Sequence, residues 1–95
     1  MKKYELMLII NPQLEESERV NLVTEIKSEL EQAKVKILSE DVWGAKDLAY
    51  KIKNSKVGYY ILYTLESTGD KFFDITKSFN IKKEIWRHIF IKLED

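Results

Sequence analysis

The stretch DVWGAKDLAYKIKNSKVGYYILYTL, residues 41–65, decides how this chain folds. Leu48, Tyr50 and Ile52 recur at every second residue, the period of a pleated strand. Val35, Ile37, Val42 and Trp43 extend that strand backwards with an interruption. Gly44 stands inside it, and a glycine within a strand marks a bulge or bend. Lys53-Asn54-Ser55-Lys56 reads as a turn. Gly58 then opens the run Tyr59 to Leu65, which is apolar on both faces and rich in aromatic side chains. Residues 35–65 are therefore predicted to form one long antiparallel hairpin.

Outward from the hairpin the periodicity changes. Before it, Val23, Ile26, Leu30 and Ala33 fall three or four apart, with Val20 extending the stripe, so a helix is predicted over about 15–34. Ser17 is a candidate cap, and Glu15 and Glu16 suit the positive end of the helix dipole. Earlier still, Tyr4, Leu6, Leu8 and Ile10 alternate with Glu5, Met7 and Ile9. Both faces of that strand are largely apolar, which suits the inside of a sheet, and Asn11-Pro12 ends it. After the hairpin, Asp70 is a candidate N-cap for a helix over 71–79, in which Phe72, Ile75 and Phe79 mark one face. Asn80 is expected to stop it in the left-handed conformation. A last strand runs from Ile85 to Leu93, where Ile85, Arg87, Ile89 and Ile91 alternate with Trp86, His88 and Phe90. Its inward face, and so the burial of His88, is not fixed by the pattern.

The order is β-α-β-β-α-β, an α+β, ferredoxin-like arrangement. Right-handed crossovers place both helices on one face of a four-stranded antiparallel sheet. The other sheet face, expected to carry Met7, Ile9, Tyr60 and Leu62, then has no cover, and a bare apolar face signals a partner.

The 95 residues suit a single domain, residues 1–95, and folding at this size buries roughly 60–65% of the unfolded chain's surface. Cysteine is absent, which removes disulfides, thiolate metal sites and a cysteine nucleophile and is compatible with a reducing cytosol. The apolar run Leu6–Ile10 is shorter than a signal-peptide core or a membrane span requires, so the chain is read as soluble and intracellular, with no membrane partner. Net charge is zero but unevenly spread. Residues 15–31 carry six Glu against Arg19 and Lys27, a net of −4, leaving +4 elsewhere. The cations gather at Lys2-Lys3, at Lys46 to Lys56 and at Lys82 to Lys92.

Little of this is suited to chemistry. His88 is the only histidine, and a lone strand histidine without an orienting partner does no acid–base work. No metal-ligand cluster has recognisable spacing, no cofactor is implied, and Gly44, Gly58 and Gly69 are too far apart for a phosphate loop. Acylphosphatases share the element order, but their phosphate-cradling arginine would fall in Asn11-Pro12-Gln13-Leu14, where there is none. RNA recognition motifs share it too, and Val57 to Thr64 loosely resembles their aromatic octamer. Val57, Tyr60 and Ile61 break that match, and core packing accounts better for Tyr59 and Tyr63. Lysines fit phosphate contacts without sequence readout. Lys46, Lys51, Lys53 and Lys56 lie on or beside the hairpin, with Trp43 as a neighbouring aromatic.

Several residues together resemble the bacterial small-subunit ribosomal protein S-six family. These are Tyr4-Glu5 and Asn11-Pro12, then Trp43-Gly44 with Leu48-Ala49-Tyr50 and Ile52, then Gly58-Tyr59-Tyr60, and finally Arg87 with Lys92. The resemblance runs from Met1 to about Lys92, and Trp43 to Ile52 is its most specific part. It implies a non-enzymatic constituent of the cytoplasmic ribosome that binds the central domain of the small-subunit RNA together with the basic ribosomal protein S-eighteen. It also implies RNA-facing positions at Lys2, Lys3, Tyr4, Lys46, Arg87 and Lys92. Trp43, Lys51, Lys53 and Lys56 are possible further RNA contacts, and the partner is expected on Met7, Ile9, Tyr60 and Leu62.

The chain departs from the family pattern in three places. Ala45-Lys46-Asp47 stands where relatives are more basic, Lys51 replaces a usual proline, and Glu94-Asp95 stands where some relatives carry an acidic tail. The isolated chain is expected to be monomeric. The alternative reading is a ferredoxin-like regulatory module that self-associates through its open sheet face.

Overall fold

A computed structural model describes residues 1–93; Glu94 and Asp95, named above as the acidic end, lie outside the described residues. Six elements follow in order: β1 (Lys2–Ile10), α1 (Glu16–Gln32), β2 (Lys36–Ile52), β3 (Ser55–Ser67), α2 (Phe72–Ile81) and β4 (Ile85–Lys92). The strands make one sheet in the order β2-β3-β1-β4, with every neighbouring pair antiparallel. This is the expected ferredoxin-like arrangement, and β1 sits inside the sheet as its two apolar faces require. Leu22, Ile26 and Leu30 of α1 share one core with Ile75 and Phe79 of α2 and with Leu6, Leu8, Ile10, Ile61, Tyr63 and Leu65 of the sheet. Both helices therefore cover the same sheet face.

The hairpin forms as its pattern predicts. Val42 pairs with Ile61 and Gly44 with Tyr60, so Trp43 has no cross-strand partner and the strand bulges there. Gly44 takes φ +81°, a conformation open to glycine. The turn is tighter than expected. Only Lys53 and Asn54 form it, both with positive φ (49° and 65°); Ser55 and Lys56 already belong to β3, and Leu48 to Lys51 bulge out between the Asp47–Val57 and Ile52–Ser55 pairs. Two such residues match the twist of the flanking strands. At Gly58 an added Cβ would stand 2.5 Å from Ile9 Cγ2 and 3.1 Å from Leu48 Cδ2. Glycine here lets Leu48 lie across β3 onto β1, which brings the hairpin arm over the open side of the sheet.

Four local expectations are corrected. The helix α1 starts with Glu15 at its N-cap rather than with Ser17, and the Glu18 carboxylate accepts from the Glu15 N–H at 3.0 Å. Leu22 rather than Val20 completes the buried stripe, because Leu22, Ile26 and Leu30 are spaced by four; Val20 is 55% exposed at the margin facing β2. Asp70 is not the cap of α2; its carboxylate accepts from Thr68, and Lys71 holds the cap position. Asn80 is helical, α2 runs on to Ile81, and the chain leaves it through extended Lys82 rather than a left-handed residue.

The parity of β4 is settled by its pairing. Arg87 lies opposite Ile9, Ile89 opposite Met7 and Ile91 opposite Glu5, and cross-strand partners share a face. Arg87, Ile89 and Ile91 are thus on the open side, while His88 and Phe90 face the helices. His88 is half-buried with its ring against Phe79 (centroids 5.5 Å apart, planes at 80°). Two polar links tie the helices down. Tyr63 donates to Glu40 at 2.7 Å, and Lys27 of α1 meets the same carboxylate at 3.0 Å. Between the helices, Ser78 donates to Glu29, with Lys82 3.6 Å away.

Candidate nucleic-acid interface

The uncovered sheet face has an apolar middle. Met7 pairs with Leu62 and Ile9 with Tyr60, all four half-buried, and Ile89 and Ile91 continue the patch on β4. Trp43, unpaired at the bulge and 42% exposed, stacks on Tyr60 (6.1 Å, 18°) while its Nε1 donates to Asp41 at 2.9 Å. Where the hairpin arm crosses the sheet, Ile9, Leu48, Tyr50, Tyr60, Arg87 and Ile89 line a shallow hollow. The four residues expected on the partner face are therefore contiguous.

The six expected RNA-facing residues fall into two groups rather than one. Lys2, Lys3 and Tyr4 open β1, and Lys92 lies opposite Tyr4. Arg87 lies opposite Ile9, and Lys46 opposite Gly58, at the other end of the strands. From Tyr4 to Ile9 the sheet advances about 17 Å at roughly 3.3 Å per residue. Lys51, Lys53 and Lys56 surround the tip of the hairpin, beyond the second group. Lys2, Lys3, Lys46, Lys51, Lys53, Lys56 and Arg87 are all exposed, and none ion-pairs with a carboxylate among the described residues. Arg87 directs one nitrogen to the Trp86 carbonyl at 2.8 Å. Tyr4 differs from the cations, since its half-buried ring meets Phe72 edge-on at 4.7 Å and its hydroxyl lies over Gly69.

Three residues of this surface carried no signal as site residues in the sequence. Ile89 and Ile91 could not be assigned to a face, because the alternating set Trp86, His88 and Phe90 is largely apolar too. Tyr50 reads as one beat of an alternation and as part of the Leu48-Ala49-Tyr50 signature but not as a contact, yet it is 74% exposed. The signal available was the lysine beside it, Lys51.

Burial shapes the titration of two groups away from this surface. Burial also pushes the Glu40 carboxyl upwards, but the hydrogen bond from Tyr63 and the contact with Lys27 outweigh it, leaving Glu40 below the ordinary carboxylate range. Burial lowers the pKa of His88. The unfolded chain therefore binds a proton at this position before the folded one does, and stability falls as pH drops through about 6.5 towards the folded value. Thermal unfolding between about pH 7.5 and 5.5 should show that decline, and it should be shallower in His88→Gln. Glu40 acts in a lower window: its stabilisation is lost only as pH falls through its depressed value. Among the described residues no three His, Cys, Asp or Glu side chains gather as a metal site.

A family model described as Ribosomal protein S6 matches residues 3–92, nearly the whole chain. The chain belongs to the ribosomal protein S6 family. Two curated members are similar along their full lengths. The small ribosomal subunit protein bS6 of Fusobacterium nucleatum is 37% identical over 92 residues, covering 97% of this chain and 98% of that one. The bS6 of Caldanaerobacter subterraneus is 30% identical over 95 residues, with both chains covered completely. The crystal structure of the 30S ribosomal protein S6 from Thermotoga maritima superposes with a TM-score of 0.91 at 30% identity, covering 97% of this chain and 87% of that chain. The S6 family consists of structural ribosomal proteins, not enzymes, and so the chain is a small-subunit protein of the bacterial cytoplasmic ribosome.

Proposed function

We propose that the chain binds the central domain of the small-subunit ribosomal RNA together with ribosomal protein S-eighteen. The observation that carries this reading is an uncovered apolar sheet face lying between two groups of exposed cations. Lys2, Lys3 and Lys92 with the edge of Tyr4 form one RNA contact, and Lys46 and Arg87 form the other. Trp43, Lys51, Lys53 and Lys56 extend the second. Met7, Ile9, Tyr60 and Leu62 receive the protein partner.

With zero net charge and an acidic α1, the chain alone has little Coulombic attraction for RNA. Each phosphate contact contributes about 0.7–0.9 to the salt slope, so a handful gives weak binding at physiological salt. The basic partner supplies the missing charge. A mobility assay with a central-domain RNA fragment, with and without the partner, tests this directly. Binding should tighten strongly when the partner is added, and Lys2→Glu and Arg87→Glu should each weaken the ternary complex by roughly ten-fold, since a reversed charge replaces attraction with repulsion. Nanomolar binding by the chain alone would contradict partner dependence. No binding in either condition, with a stable homodimer at micromolar concentration, would favour the self-associating module.

A further inference from the structure

Tyr50 is the most exposed aromatic residue among the described residues, at 74%, and it lies outside the core. Its setting is ordered all the same. Ile52, two residues on, is buried and pairs with Ser55 across the two-residue turn. The Ser55 hydroxyl donates to the Val57 carbonyl at 2.8 Å, which further fixes the start of the returning strand. The arm carrying Tyr50 is also held down by Leu48 lying over Gly58. Tyr50 itself stands in the bulged stretch Leu48 to Lys51, which has no partner on β3 but is tied at both ends, by Leu48 over Gly58 and by the Ile52–Ser55 pair, and which presents the ring to solvent.

The ring stands between two recesses. On one side Tyr50 lines a recess with Leu48, Lys51 and Lys56; on the other it closes the hollow that contains Arg87. Among the described residues Asp47 is the only carboxylate lining either. An aromatic face flanked on both sides by unpaired cations matches one ligand chemistry, a planar base with a phosphate on each side. Duplex RNA cannot offer this, because its bases are stacked away from side chains.

We propose that Tyr50 is the stacking platform for one unpaired nucleotide, whose flanking phosphates are held by Lys51 and Lys56 on one side and Arg87 on the other. This rests on the RNA-binding reading above and goes further by naming a single-stranded nucleotide and the residue that holds it. Contact of this kind tolerates any base, because each has a π-face.

The test uses the full chain with the partner and the central-domain RNA fragment. Tyr50→Ala should weaken the complex by about ten-fold or more while leaving the salt slope unchanged, because stacking displaces no counterion. Tyr50→Phe should bind as the wild type does. Lys51→Gln or Lys56→Gln should instead lower the slope, by about 0.7 each. Independently, the Tyr50 ring protons should shift upfield on adding a short single-stranded RNA and not on adding a duplex of the same strand. Equal affinity for Tyr50→Ala and wild type, or equal loss in Tyr50→Phe and Tyr50→Ala, would overturn the proposal and leave RNA binding by the chain intact. A Tyr50→Ala defect confined to capture of the protein partner would overturn it as well. If the wild-type complex failed to bind RNA at all, the reading beneath it would fall first.

Discussion

Phe79→Ala is expected to lower the unfolding free energy by about 3–5 kcal/mol. For a chain of this size that corresponds to a melting temperature roughly 15–30 °C lower. Phe79 is fully buried on α2, between the sheet and α1, and its ring carries the edge of His88. Truncation removes the apolar contacts and leaves a cavity that the rigid sheet behind it cannot close. The consequence reaches the interface, since His88 sits between Arg87 and Ile89, and α2 is what fixes that part of β4 from behind. Phe73, on the same helix, supplies the control. It is 68% exposed with Lys77 over its ring at 4.7 Å, and Phe73→Ala should change stability by no more than about 0.5 kcal/mol. Denaturant unfolding of the two variants, with the slope m compared to show that cooperativity is kept, measures the difference. Equal losses would mean that the face of α2 assigned to the core is wrong.

That assignment was legible in the sequence, and the reasons some others were not are physical. A strand with one apolar and one polar face reveals its parity. β1 and β3 are apolar on both, and their pairing with burial places Leu6, Leu8, Tyr63 and Leu65 on the helix side and the expected set Met7, Ile9, Tyr60 and Leu62 on the open side. In β4 both sets are apolar, so only the pairing of Met7 with Ile89 decides. Helix ends failed for a related reason. Several residues near α1 can accept at its start, and the geometry selects Glu15 and Glu18 over Ser17. Asn80 has the right chemistry for a left-handed stop, but the helix carries it on and leaves through Lys82. At the interface, residue types were readable and their grouping was not. Lys92 and Arg87 are five residues apart in one strand, yet the register puts one beside Tyr4 and the other beside Ile9. Charge counted along the chain cannot separate them, and an exposed tyrosine looks like a buried one until its neighbours in space are known.

Leu62→Lys is expected to abolish co-assembly with the basic protein partner while leaving the fold almost untouched. Leu62 is half-buried at the centre of the open face, opposite Met7 on β1 and Asp41 on β2. In the isolated chain a lysine there can extend its ammonium to water and pair across the strands with Asp41, which contributes roughly 0.2–1 kcal/mol and offsets part of the lost apolar contact. Thermal stability should therefore move by only a few degrees. In the proposed complex the same ammonium would be covered by the partner, desolvated, and set against a surface that is itself positive. Even with Asp41 beside it, like charge set against like in such an interface costs several kcal/mol, about two orders of magnitude or more in affinity. The choice of a cation separates the two halves of the proposed function. An added lysine can only favour contact with RNA through its charge, so a loss of ternary binding in Leu62→Lys has to come from the protein partner. Partner affinity measured by calorimetry without RNA should fall to the same extent as assembly on the RNA. Undiminished partner binding by a folded Leu62→Lys would remove the open face from the interface and leave the cations of β1, β4 and the hairpin as the only contacts still supported.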